Sequence, residues 1–143
     1  MGSYLIVANQ TLGSPALDEA IRERLRTGRA SFRVVVPATP VGRGLTWDES
    51  ETRQAAENRL ASLIDRIREL GGVGDGEIGV SDPIDAARDA LRDREIDEVI
   101  LSTLPAGISR WLGQDVPSRL RGAVSMPVVV VSAAPETAST GSS

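Results

Sequence analysis

Three stretches of this chain are apolar without interruption and rich in β-branched residues: Leu5-Ile6-Val7, Val34-Val35-Val36 and Val128 to Val131. A strand with one wet face alternates apolar and polar residues. An unbroken run therefore implies burial on both faces, as in a parallel sheet covered by helices. The spacing predicts strands over Tyr4–Ala8, Phe32–Val36, Glu77–Val80, Val99–Ser102 and Val128–Val131. The third is short and carries Gly79, which places it at a sheet edge.

Helical patterns fill the gaps. Ser14-Pro15 reads as an N-cap followed by proline in the first turn, with Leu17, Ala20, Ile21 and Leu25 on one face and Gly28 as the stop. A longer helix is capped by Asp48 or Ser50, or by a capping box from Thr46 to Glu49. Its stripe is Ala56, Leu60, Leu63, Ile64 and Ile67, and Gly71-Gly72 ends it. Asp82-Pro83 opens a third helix that turns Ile84, Ala87, Ala90 and Leu91 inward. Trp111-Leu112 reads as a short helical turn, and Val116 to Arg121 as a last helix with Asp115 as its cap. The stretch Gly71 to Gly76 reads as a turn. Strict strand–helix alternation predicts right-handed crossovers and one parallel sheet in a three-layer α/β/α fold. Residues 1–132 form a single domain, and the small, polar tail 133–143 is expected to be disordered.

Composition removes whole classes of chemistry. All 16 cations are arginine, and the 143 residues include no lysine, histidine or cysteine. No Ser-His-Asp or Cys-His nucleophile system can be built, nor a Schiff-base or P-loop lysine. Imidazole and thiolate metal sites, disulfides and iron–sulfur clusters are excluded as well. The net charge of −4 and the scattered arginines argue against nucleic acid as partner. No segment approaches the roughly 20 apolar residues of a membrane span, and no signal-peptide pattern opens the chain, so a cytoplasmic protein is expected.

In an open doubly wound sheet, ligands bind beyond the carboxyl ends of the strands, where strand order reverses. Two loops would line that crevice: Asn9 to Ser14, and Ser102 to Ser109. Both carry small polar residues and free amides, which suits an anion, and equally suits ordinary strand-to-helix turns with Ser14 capping its helix. The first loop is not G-x-G-x-x-G, so a dinucleotide site is not supported. Asp82, Asp85, Asp89 and Asp93 share a helix face but interleave with Arg88, Arg92 and Arg94, which reads as solvated ion pairs rather than a cation site. Trp47 and Trp111, beside Arg43 and Arg110, read as rim packing or as pocket walls.

The layout resembles the universal stress protein family. So does the closing stretch Asp97-Glu98-Val99-Ile100-Leu101-Ser102, a loop, Val116-Pro117-Ser118-Arg119-Leu120, then Met126-Pro127 and four valines. The resemblance implies a Rossmann-like sheet of the adenine nucleotide alpha hydrolase type, with strand order 3-2-1-4-5. It also implies a homodimer through the last strand, Val128, Val129, Val130 and Val131. Nucleotide-binding members carry Gly-x-x-Gly, about nine residues, then Gly-Ser or Gly-Thr, whose amides approach the phosphates. Here the glycine positions fall near Ser102 and Pro105, with Gly107 the nearest glycine, and the Gly-Ser pair falls on Gln114-Asp115. The family's acidic residue after the first strand falls on Asn9 or Gln10.

Pro105 removes a backbone donor, and Asp115 sets a carboxylate where a phosphate would lie. Two like charges about 4 Å apart cost on the order of 4 kcal/mol at an effective dielectric of about 20. The resemblance and the altered loop together imply a regulatory or interaction protein with no cofactor. The alternative is an adenine-nucleotide protein with ATP or a relative beside Ala8, Asn9, Gln10 and Val36, and with Ser102, Thr103, Gly107, Gln114, Asp115 and Val116 lining the crevice. Only carboxylates, hydroxyls and a metal remain for hydrolysis, and no compact constellation of them is visible. The reading is therefore not an enzyme, with metal-dependent nucleotide hydrolysis ranked last.

Overall fold

The continuous runs become the central strands of one parallel sheet. The computed structural model describes residues 2–8, 15–37, 49–80, 82–92, 94–103 and 115–132. Its strands are β1 (Gly2–Ala8), β2 (Ala30–Pro37), β3 (Val73–Gly79), β4 (Glu98–Thr103) and β5 (Val128–Ser132). The helices are α1 (Pro15–Arg26), α2 (Glu49–Glu69), α3 (Pro83–Leu91) and α4 (Val116–Ala123). The sheet order is β3-β2-β1-β4-β5, every pair parallel. This is the expected doubly wound α/β fold, with strand order reversing between β1 and β4.

Burial on both faces follows from the pleat. Ile6, Val34, Val36 and Ile100 join Leu17, Ile21, Leu63 and Ile67 in a core under α1 and α2. Leu5, Val7, Val35, Val99 and Leu101 join Ile84, Ala87, Val116 and Leu120 in a second core under α3 and α4. Leu5, Ile6, Val34 and Val35 have no exposure at all, as runs without alternation require.

Local signals set the helix ends. Asp82 caps α3 with its carboxylate, accepting from the amides of Ile84 and Asp85 at 2.8 and 3.1 Å. Pro83 follows in the first turn. The α2 stop is a Schellman turn: Gly71 has φ of 102°, the Gly72 amide donates to the Ile67 carbonyl at 2.9 Å, and the Gly71 amide to Arg68 at 3.0 Å. Since α2 begins at Glu49, Ser50 lies within its first turn and is not the cap.

Three expectations are corrected. The stretch from Val73 to Gly76 is not a turn but the first half of β3, paired in register with Ser31 to Val34. Its glycines are needed there: Gly74 and Gly76 lie directly beneath Ile67 and Leu60 of α2. Asp115 occupies the position before α4, but its side chain makes no capping bond, because the backbone is left-handed at φ 59°. Leu91 is only half-buried, at the edge of the core.

The interleaved charges on α3 do pair with one another and with α4. Arg92 meets Asp89 at 3.1 Å, and Arg119 approaches Asp82 at 3.8 Å. Among the described residues no group of three acidic side chains is placed to hold a metal ion. Trp47, Trp111, Arg43, Arg110, Asp93, Ser14, Thr46, Asp48 and the tail lie outside the described residues.

Candidate functional site

Ala8 ends β1 and pairs with Ser102 on β4, across the line where strand order reverses. Val36 lies near the end of β2, one strand away. Thr103 ends β4 and pairs with Ser132 on β5. The register therefore brings Ala8, Val36, Ser102 and Thr103 to one end of the sheet, as the sequence anticipates. All four are buried, at 1% exposure or less. Being buried, they offer little surface of their own to a ligand at this end.

Thr103 Oγ1 and Ser132 Oγ lie 3.0 Å apart, a hydroxyl pair across β4 and β5 at this end. Ser132 has no part in the sequence-based site, because a lone serine after four valines carries no signal. Ser102, buried beside it, also has a bonding partner. Asn9, Gln10, Gly107 and Gln114 lie outside the described residues.

On the other side of the sheet α4 enters this end. Val116 is fully buried in the core, whereas Asp115 is exposed. Asp115 is the one non-glycine among the described residues with positive φ. A side chain in that conformation crowds its own backbone, by roughly 1–2 kcal/mol for a typical L-residue. Asp tolerates it better than most, and glycine would carry no such penalty.

Helix α2 holds a residue that the sequence reading passes over. Among the described arginines, Arg24, Arg33, Arg59 and Arg66 are withdrawn from full exposure. Arg24 meets Glu98 at 2.9 Å and its guanidinium stacks 5.8 Å from the Tyr4 ring centre. Arg33 holds both Glu77 and, at 3.2 Å, Asp75 of β3. Arg66 forks onto Asp18 of α1 at 2.7 and 3.1 Å and onto Glu69 at 3.1 Å. Its hydrogen bonds to Asp18 and Glu69 hold its proton more firmly than usual. Arg59 lacks such a partner, and burial pulls its pKa below the ordinary arginine value. No sequence signal sets Arg59 apart from Arg66, seven positions later on the same helix, because spacing does not say which of them meets a carboxylate.

At the opposite end, Arg33 and Arg94 line a recess of about 320 Å³ with Ser3, Ser31 and Asp75. Arg94 also forks onto Asp75, at 2.9 and 3.4 Å, so this charge cluster fastens the edge strand and the α3–β4 connection.

No protein-family model matches this chain, and no curated protein matches it by sequence. Solved structures do match in fold. A universal stress protein from Archaeoglobus fulgidus in complex with dAMP aligns at TM-score 0.60 and 18% identity, over 92% of this chain and 98% of that one. A universal stress protein family protein from Arabidopsis thaliana with AMP bound aligns at TM-score 0.62 and 12% identity, over 96% and 95%. A universal stress protein in complex with cAMP aligns at TM-score 0.62 and 14% identity, over 93% and 98%. The five-stranded sheet, its order and its helices are those of the universal stress protein fold.

Proposed function

We propose that this chain is a universal-stress-protein-like regulatory or interaction protein, working in the cytoplasm as a homodimer, that does not grip ATP through the usual phosphate loop. The observation that carries this reading is Asp115: a carboxylate in left-handed backbone, uncapped and exposed, at the entrance to α4. A glycine there would leave room and free amides for a phosphate. Solvent screening at an exposed site reduces the repulsion well below the value for buried charges. The carboxylate therefore weakens a phosphate site and adds strain, rather than forming an absolute barrier.

The dimer reading rests on β5, which is a sheet edge and carries four consecutive valines. Val129 and Val130 are only half-buried in the single chain. An apolar edge of this kind favours pairing with a second copy. The opposite edge, β3, carries Asp75 and Glu77 and several glycines, a composition that discourages strand addition.

A second reading has support of its own: proteins of this fold have been solved with dAMP, AMP and cAMP bound. Thermal melting separates the two. A ligand at about 100 times its Kd adds roughly 2.7 kcal/mol of stability. No change in Tm with millimolar ATP or AMP is the expected result for the natural chain. A rise of several degrees would overturn the first reading in favour of the second.

A further inference from the structure

Successive residues of a strand point their backbone groups to opposite edges, so the bonds that β5 makes to β4 fix what it leaves open. The Val99 amide donates to the Pro127 carbonyl at 2.9 Å, and Val99 is aligned with Val128. Pro127, Val129 and Val131 therefore direct their carbonyls at β4. Val128, Val130 and Ser132 direct their amides and carbonyls at the open edge, because β5 is the last strand of the sheet. A second copy pairing with β5 has to use this outward row. A two-fold axis sets two identical edges antiparallel, and the outward carbonyls then take amides from the partner.

One of these outward carbonyls is already engaged. Arg121, in the last turn of α4, donates from Nη2 to the Val128 carbonyl at 3.3 Å. Among the described residues this carbonyl is the only hydrogen-bond or ion-pair partner of the Arg121 side chain. Arg119, two residues earlier, turns instead to Asp82 of α3, at 3.8 Å. A guanidinium laid against a strand edge occupies an acceptor that strand pairing needs, and a charged group there discourages a further strand. Closing a second copy over it would bury that charge without a carboxylate, which is unfavourable. Arg121 therefore has to swing off the edge before the Val128 carbonyl can join a ladder between two chains.

We infer that Arg121 is a gate on the β5 edge: it competes with a second copy of this chain for the Val128 carbonyl, and so sets how tightly two copies pair. This rests on the β5 dimer proposed above and adds its regulation. The half-buried Val129 and Val130 favour pairing, and Arg121 opposes it.

The test is sedimentation of the full-length chain over a concentration series, which gives the monomer–dimer Kd of the natural protein and of its variants. Arg121→Ala should pair about tenfold more tightly, or better, with its melting temperature kept. Arg119→Ala removes the same charge from the same helix and should stay within about threefold of the natural Kd. Val130→Pro removes an outward amide and no bond to β4, and should abolish the dimer. Val129→Arg, which leaves the backbone donors intact, should do the same. A natural chain that stays monomeric, or a dimer that survives both Val130→Pro and Val129→Arg, would remove the β5 reading and the gate with it. A dimer lost in those two variants but no tighter in Arg121→Ala, or tightened equally by Arg119→Ala, would overturn the gate alone and leave the β5 reading standing.

Discussion

Alanine at Gly76 tests the packing of α2 on the edge strand. A Cβ built on Gly76 would lie 2.5 Å from the Val34 carbonyl oxygen, 2.5 Å from Leu60 Cδ1 and 3.2 Å from Val34 Cβ. The leucine methyl can swing aside. The carbonyl belongs to the central backbone of β2 and cannot, so β3 has to move away from it. Overpacking of this kind costs about 1–3 kcal/mol, partly offset by the roughly 0.5–1 kcal/mol that alanine gains over glycine in the unfolded chain. The net expectation is a loss of about 1–2 kcal/mol, or a fall in Tm of about 3–8 °C for a domain of this size. Gly122, in the last turn of α4, is the internal control. It has no atom within 4 Å of the added Cβ and does not need positive φ. Gly122→Ala should stabilise by up to about 1 kcal/mol. Urea melts followed by circular dichroism measure both. A Gly76→Ala protein as stable as the natural one, or a Gly122→Ala protein clearly weaker than it, would refute the close approach of α2 to β3 and the steric reasoning built on it.

Three further outcomes are expected. Asp115→Gly should raise stability by up to about 1 kcal/mol by releasing the left-handed strain. It should also give a rise in Tm with ATP or AMP that the natural chain lacks; a variant as indifferent to nucleotide as its parent would remove Asp115 as the reason. Val129→Arg should shift the chain from dimer to monomer in sedimentation at micromolar concentration, and a natural chain that sediments as a monomer would dispose of the β5 interface. Leu63→Ala, in the core under α2, should lose about 2–5 kcal/mol, whereas Arg66→Met should lose far less because its ion pairs are part-exposed. Equal losses in chemical denaturation would contradict that ranking.

Much of the fold is legible in the sequence because its signals are local. A valine run without alternation requires two covered faces wherever it sits. Asp82-Pro83 starts a helix and Gly71-Gly72 ends one through bonds made within a few residues. The register of Ala8 beside Ser102 follows from strand order, so the gathering of Ala8, Val36, Ser102 and Thr103 at one end of the sheet was also within reach. Other features depend on neighbours that are distant in the sequence. Val73 to Gly76 reads as a turn because glycine is usually found in turns, yet these glycines belong to a strand that α2 presses closely. Arg33 interrupts an apolar run and is tolerated because Glu77 and Asp75, more than 40 residues later, meet it across β2 and β3. Asp115 has the residue type of a helix cap, but its backbone angle keeps its carboxylate from capping.

Residue order and type are enough to set the order of elements, the two buried faces and the classes of catalysis that 16 arginines and no histidine, cysteine or lysine exclude. Which charges are paired emerges only from the folded packing, because ion pairing depends on which helix flank faces which, and one-dimensional spacing does not contain that. Asp18 reaches Arg66 across 48 residues and leaves Arg59, two helical turns away, without a carboxylate.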